Sequence, residues 1–276
     1  FAFRSPLSKG AILADEVGLG KTIEAGIVLS QRWAERKRKI LIILPSSLRK
    51  QWYQELQDKF YLPSVILEAA SFNKAIKKGK RNPFDSKDIV ICSYHFARNK
   101  AEFVRAIKWD LVVIDEAHRL RNVYKTGNKI ARELKDALLD TPKLLLTATP
   151  LQNTLLELYG LVSFVDDLAF GDLKSYRSQY ARLTSADSFD ELKMRLQPIC
   201  KRTLRRQVLE YIRYTERKAY TQEFVPTPDE ETLYDMVSEY LRRDNLQALP
   251  SSQRTLMTLV LRKLLASSTF AIAGAL

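Results

Sequence analysis

Cysteine is scarce in this 276-residue chain: Cys92 and Cys200 are the only two, far apart in sequence and with no C-x-x-C pair. That argues against a zinc site and suits a reducing compartment, so a cytoplasmic location is expected. Long apolar runs are also missing. The longest uncharged one, Leu264 to Leu276, is too short for a bilayer and follows directly on Arg262-Lys263. Neither a spanning helix nor a signal peptide is therefore expected, and no membrane partner. Internal repeats and low-complexity tracts are absent, and histidine is limited to His95 and His118. Acidic residues are outnumbered, 32 against 45 lysines and arginines, leaving a net charge of +13. An excess of that size points to a polyanionic partner, nucleic acid before membrane, with ordinary surface solubility as the bland alternative. An initiating methionine is missing, and so is a helix cap at the far end, so the chain reads as a piece of a longer protein.

What is present is the composition of a soluble globular chain, 46% hydrophobic and 28% charged, long enough for one large core or two modest ones. The chain is organised around Ala11 to Thr22. A short apolar run leads into Asp15, Glu16, Val17, Gly18, Leu19, Gly20, Lys21 and Thr22, and a helical pattern begins at Ile23. Strand, glycine turn and helix in that order form a phosphate cradle. Glycines let backbone N–H groups crowd around an anion, and the helix directs its positive end at the same place. Lys21 is the candidate for the β- and γ-phosphates and the Thr22 hydroxyl for Mg²⁺. The strict G-x-x-x-x-G-K-[ST] pattern is not met, because Asp15 stands where its first glycine would fall.

Further along, Ile40 to Leu44, Ser64 to Glu68, Ile89 to Tyr94, Leu111 to Ile114 and Leu144 to Leu146 read as strands. Their unbroken hydrophobicity fits a parallel sheet covered on both faces. Helices are expected from Lys21 to about Arg38, with Ile23, Ile27, Val28 and Leu29 buried and Gly26 close against the sheet, and through Leu48, Trp52, Leu56 and Phe60. The aromatics of that second helix read as core. Lys74 to Asn82 reads as a polar loop. Polar residues repeatedly follow the strands, where an open parallel sheet keeps its ligand crevice. Asp115-Glu116 is the most telling case: one carboxylate to hold hydrated Mg²⁺, its neighbour to orient or deprotonate the attacking water. Asp115 is assigned to the metal and Glu116 to the water. His118 is either a hydrogen-bonded structural residue or part of a relay toward Thr147 and Thr149.

Beyond about residue 165 the alternation gives way to short helical patterns and a basic belt, with nine lysines and arginines against three acids between Glu191 and Tyr220. Ala219 to Val225 reads as a strand, Pro226 and Pro228 break the pattern, and Asp229 is a candidate cap for the helix that follows.

DEVGLGKT at 15–22, DEAH at 115–118 followed by RLRN, and LLLTATPLQN at 144–153 resemble motifs I, II and III of superfamily-two helicases. The extended forms LADEVGLGKTIEAG and TATPLQN are similar to the Swi/Snf-type branch, particularly its RapA-like members. LIILPSSLRKQW at 41–52, IVICSYHF at 89–96 and LRRQV at 204–208 match further elements, in the expected order. The resemblance implies an α/β, RecA-like parallel sheet sandwiched by helices, with a mainly helical C-terminal extension. Residues 1–165 would form the ATP-binding lobe, 166–225 a basic extension completing it, and 226–276 a helical segment leading toward a second RecA-like lobe. It implies ATP and Mg as cofactors and a double-stranded DNA backbone as track. Gly18, Gly20, Lys21 and Thr22 match the phosphate loop, and Asp115 and Glu116 the metal and water carboxylates. Thr147 and Thr149 match the coupling element, and the region of Ser46, Ser47, Lys50, Ser93 and Tyr94 matches the DNA-contacting motifs. Nothing in Phe1 to Gly10 matches the adenine-reading glutamine motif, and motifs IV to VI with their arginine finger are absent, so little hydrolysis is expected of this piece alone. An RNA helicase of the DEAH type, and a nucleotide-gated docking module without motor activity, are the alternatives. TPLQN and the LRRQV belt favour the DNA motor over the first, and intact Lys21, Asp115 and Glu116 over the second.

Overall fold

Six apolar runs form strands: β1 (Gly10–Leu13), β2 (Ile40–Leu44), β3 (Ser64–Ile66), β4 (Ile89–Ser93), β5 (Leu111–Asp115) and β6 (Lys143–Leu146). The computed structural model describes residues 2, 9–180, 186–208, 220, 225–242 and 254–267. A seventh strand, β7 (Cys200–Lys201), arises in the basic stretch that the sequence assigns to helices. Two residues carry no periodicity, so only its pairing with Ile12 and Leu13 defines it. All seven strands run parallel in the order β3-β4-β2-β5-β6-β1-β7. Alternation sends Ile12, Leu41, Ile43, Val112, Ile114 and Leu145 into one buried cluster and Leu13, Ile40, Ile42, Val113, Leu144 and Leu146 into the other. Both faces of the central strands are thus dry, which explains their unbroken apolar runs.

The face holding Leu13 and Ile42 is covered by α1 (Lys21–Ala34) and α2 (Arg49–Phe60). The α1 helix stops earlier than the sequence pattern predicts: Glu35 caps it and Arg36 turns left-handed with φ 62°. Its buried side is Ala25, Gly26, Val28 and Leu29, whereas Ile23 and Ile27, expected in the core, are exposed at 36% and 52%. Gly26 serves a neighbouring helix, not the sheet: a Cβ there would lie 2.1 Å from the ring of Phe60 on α2. The opposite face carries α4 (Tyr94–Asn99), α5 (Ala101–Arg105), α6 (Lys129–Ala137) and α7 (Leu155–Val165). The first four residues of the expected loop over 74–82 belong to a helix, α3 (Ala69–Lys77), whose Phe72 packs edge-on against Phe84, Phe96 and Phe103. Its lysines are solvated, so composition alone concealed the anchored side. Helices α8 (Leu173–Tyr180) and α9 (Ala186–Leu196) follow.

The chain divides into two compact units, Phe1–Arg213 and Tyr214–Leu276. In the second, α10 (Pro228–Arg242) and α11 (Arg254–Ser267) bury Val237, Leu241, Leu261 and Leu265. The cap of α10 is Thr227, not Asp229. The Glu230 amide donates to Thr227 Oγ1 at 3.4 Å and the Thr227 amide to Glu230 Oε2 at 2.9 Å, a reciprocal box with Pro228 in the first turn. The expected strand at 219–225, the basic residues Arg213, Arg217 and Lys218, and the apolar run past residue 267 lie largely or wholly outside the described residues.

Candidate nucleotide site

The turn after β1 is built by backbone conformation. Gly18 and Gly20 sit at φ 84° and 85°, a region that a Cβ disfavours, and Gly20 opens α1. With no side-chain cap on α1, the free amides of its first turn point out beside Lys21 and Thr22. Lys21 Nζ folds back over the turn and donates to the carbonyls of Asp15 at 2.7 Å and Glu16 at 3.2 Å. Asp15, in the place of the missing glycine, is buried at 3% and its Oδ1 accepts the Thr203 amide at 2.5 Å.

The stretch after β7 straps this turn down. The Glu16 amide donates to Thr203 O at 3.1 Å, and the Arg205 amide to Glu16 Oε2 at 2.7 Å. The Arg205 guanidinium donates to Val17 O from Nε at 2.9 Å and from Nη2 at 2.6 Å. Glu24 on α1 lies against Asp15. Burial raises its carboxyl to about 7, helped by the hydrogen bond and charge of Asp15 and opposed by Lys21. Neither Arg205 nor Glu24 stands out in the sequence as part of this site, since the contact of Arg205 exists only because β7 pairs with β1.

At the end of β5, Asp115 is 8% exposed. Its Oδ2 accepts the indole N–H of Trp52 at 2.8 Å, its Oδ1 the Glu116 amide at 2.8 Å, and its backbone carbonyl the Tyr94 hydroxyl at 2.6 Å. Burial holds the Asp115 carboxyl above the usual range; Trp52 and the Glu116 amide pull it back, as does the charge of Lys21. Glu116 adopts a left-handed φ of 53° and opens a 3₁₀ turn, Ala117–Leu120. His118 Nδ1 lies 3.0 Å from Glu116 Oε2. Thr147, fully buried, donates its amide to Leu13 O at 3.0 Å, and its hydroxyl accepts the Thr149 amide at 3.2 Å. The loop after β6 is held by Glu157, which accepts the amides of Gln152 and Asn153, and is joined to the turn after Asp115 by Arg121, which donates to Gln152 Oε1 at 2.6 Å.

Register brings these pieces together. Leu13 and Asp115 both stand opposite Leu146, from the two sides of β6. Strands lie about 4.8 Å apart, so the two exits are separated by about 10 Å along one edge of the sheet, within the span of one Mg-triphosphate. Among the described residues no group of three or more His, Cys, Asp or Glu gathers to hold a metal alone. Thr22 and Asp115 offer hard oxygens only. That donor set fits Mg²⁺, which keeps waters and takes its remaining ligands from phosphates.

Ser46, Ser47 and Lys50 are exposed at the same edge, in the turn after β2 and the start of α2, and Ser93 is half-buried after β4. Ser93 Oγ already accepts the Phe96 amide as the cap of α4. Tyr94 departs from the sequence expectation: its side chain is 2% exposed and turned inward to Asp115, not toward a track. Trp52, expected as plain core, is buried at 1% yet donates its N–H to the Asp115 carboxylate.

The SNF2-related domain matches residues 4–268 of this chain. The chain belongs to that family. The SNF2-related chain is 34% identical over 253 residues to the uncharacterized ATP-dependent helicase YqhH of Bacillus subtilis, covering 90% of its own length and 42% of that protein. It is 36% identical over 178 residues to the RNA polymerase-associated protein RapA of Actinobacillus pleuropneumoniae, covering 60% and 18%. It thus spans less than half the length of these relatives. Its fold is shared with the Sulfolobus solfataricus SWI2/SNF2 ATPase core in complex with dsDNA, with a TM-score of 0.64, 21% identity, and coverage of 99% of this chain and 57% of that one.

Proposed function

We propose that this SNF2-related domain is the ATP-binding lobe of a motor that hydrolyses ATP to move along double-stranded DNA. The common register of Leu13 and Asp115 on Leu146 carries the reading, since it sets the glycine turn before Lys21 and the Asp115-Glu116 pair at one edge, no farther apart than the span of a single nucleotide. In the resting geometry Lys21 is held by two carbonyls of its own turn. An arriving triphosphate outcompetes them, because it offers the Lys21 ammonium a full negative charge where each carbonyl offers only a dipole. Thr22 and Asp115 would hold Mg²⁺, which would neutralise charge on the phosphates when bound. Glu116 orients the attacking water and takes its proton, with His118 beside it, and Thr147 and Thr149 pass the nucleotide state to the track. Ser46, Ser47, Lys50 and Ser93 meet backbone phosphates without reading bases. The names of the relatives, an ATP-dependent helicase and an ATPase core with dsDNA, support this reading, and the SNF2-related match favours it over an RNA helicase of the DEAH type. The second lobe supplies the missing arginine, worth about 10³–10⁵ in rate, so the lobe alone turns over little. A cytoplasmic setting suits the two free cysteines, Cys92 and Cys200.

Glu116→Gln in the full-length protein tests the reading. Turnover should fall about 10²–10⁴-fold while ATP stays bound. Unchanged hydrolysis removes Glu116 from its role, and stimulation by RNA exceeding that by duplex DNA would move the protein to the RNA-helicase reading.

A further inference from the structure

Two of the segments proposed to face DNA also grip the proposed metal carboxylate. The turn after β2 exposes Ser46, Ser47 and Lys50, and two residues past Lys50 the side chain of Trp52 runs inward to Asp115 Oδ2 at 2.8 Å. The turn after β4 presents Ser93, and the next side chain, Tyr94, runs inward to Asp115 O at 2.6 Å. Both aromatics are buried, at 1% and 2%. With the Glu116 amide on Oδ1 at 2.8 Å, both oxygens of the carboxylate are tied and its plane is fixed. Each oxygen keeps a lone pair for a cation or its water.

We propose that Trp52 and Tyr94 are positioning residues that couple the track to the metal: phosphate contact at Ser46–Lys50 and Ser93 sets α2 and the start of α4, and the two aromatics pass that setting to Asp115. The proposal rests on the function proposed above and adds to it a route that bypasses the loop of Thr147 and Thr149. Its physical basis is rigidity. Trp52 lies in the first turn of α2, so a shift of the exposed turn that precedes it moves the indole as part of one rigid element. Outer hydrogen-bond partners of metal ligands typically change metal affinity by about 10–100-fold when removed, because they fix the ligand's orientation.

The test uses the full-length protein with a fluorescent non-hydrolysable ATP analogue, titrated with MgCl₂ with and without a duplex DNA. Trp52→Phe keeps the packed ring and deletes the donor, and Tyr94→Phe deletes only the hydroxyl. Trp52→Phe is expected to raise the half-saturating Mg²⁺ about 10-fold or more, while metal-free affinity for the analogue and the thermal unfolding midpoint stay near wild type. Duplex DNA should lower the half-saturating Mg²⁺ of wild type and have less than about half that logarithmic effect in either variant. A Trp52→Phe midpoint within about twofold of wild type, or a DNA effect undiminished in both variants, overturns the proposal. No Mg²⁺-dependent binding of the analogue by wild type would instead overturn the nucleotide site itself, and this proposal with it.

Discussion

Lys143 shows how far a residue's surroundings depart from its identity. It sits at the start of β6, 2% exposed, with Nζ donating to Thr141 O at 2.9 Å and Leu139 O at 3.3 Å. Burial lowers its ammonium to about 8, helped by the charge of Lys9 and opposed by Asp167 and Asp140. The folded value lies below the unfolded one, so at neutral pH both states hold the proton and the burial penalty is complete. Between about pH 8 and 10.5 the folded state releases its proton while the unfolded chain keeps it, and stability rises. Relative to a Lys143→Met variant, the wild type should gain about 3 kcal/mol across that window. Urea midpoints of the two proteins at several pH values measure it; parallel curves would show that the ammonium is solvated after all. Nothing in the sequence marks Lys143 out from the other lysines. Lys21, Thr22, Asp115 and Glu116 could be proposed from the sequence because the chemistry expected of them requires a spacing along the chain, and the register of their strands sets them at one edge of the sheet. Trp52, Tyr94 and Glu24 could not, since a helical repeat shows which side is buried and not what the buried polar edge meets.

Elements were legible where one physical cause shaped a whole run, and obscure where a tertiary contact decided. Strand β2 is apolar throughout, and β4 and β5 are apolar up to their last residues, Ser93 and Asp115, because helices cover both faces. Strand β7 exists only through its partner β1, yet it is what brings Arg205 onto the turn after β1. Helix α10 carries its own cap in T-P-D-E, at Thr227 and so two residues ahead of the expected Asp229. Helix α7 shows the strongest dependence on one glycine: a Cβ at Gly160 would sit 1.8 Å from the backbone carbonyl of Arg121, in the turn that follows the acidic pair. Backbone cannot swing aside as a side-chain tip does, so α7 and that turn must part. Gly160→Ala is expected to destabilise the domain by at least about 1–3 kcal/mol and to weaken Mg-nucleotide binding, because Glu116 and His118 belong to the displaced turn. Denaturant midpoints and analogue binding measure both; a variant as stable as wild type would mean that α7 packs more loosely on this turn.

At the scale of the whole molecule the open question is whether its charge of +13 acts as a diffuse field or through one face. The two edges of the sheet separate these possibilities. Lys50 lies at the strand exits with the turn after β1, exposed and engaged by none of the ion pairs among the described residues. Lys37 lies at the opposite edge, ahead of β2, exposed and 3.5 Å from Glu35. Each substitution to alanine removes one unit of charge, so a diffuse field would weaken duplex binding equally in both. A track held at the strand exits would not. Each neutralised phosphate adds about 0.9 to the slope of log affinity against log salt. Lys50→Ala should therefore flatten that slope by about one and weaken binding alike on unrelated DNA sequences, whereas Lys37→Ala should leave the slope in place. Equal losses would reduce the basic surface to general attraction. A loss confined to Lys50 would put the track at the edge where Trp52 and Tyr94 reach Asp115.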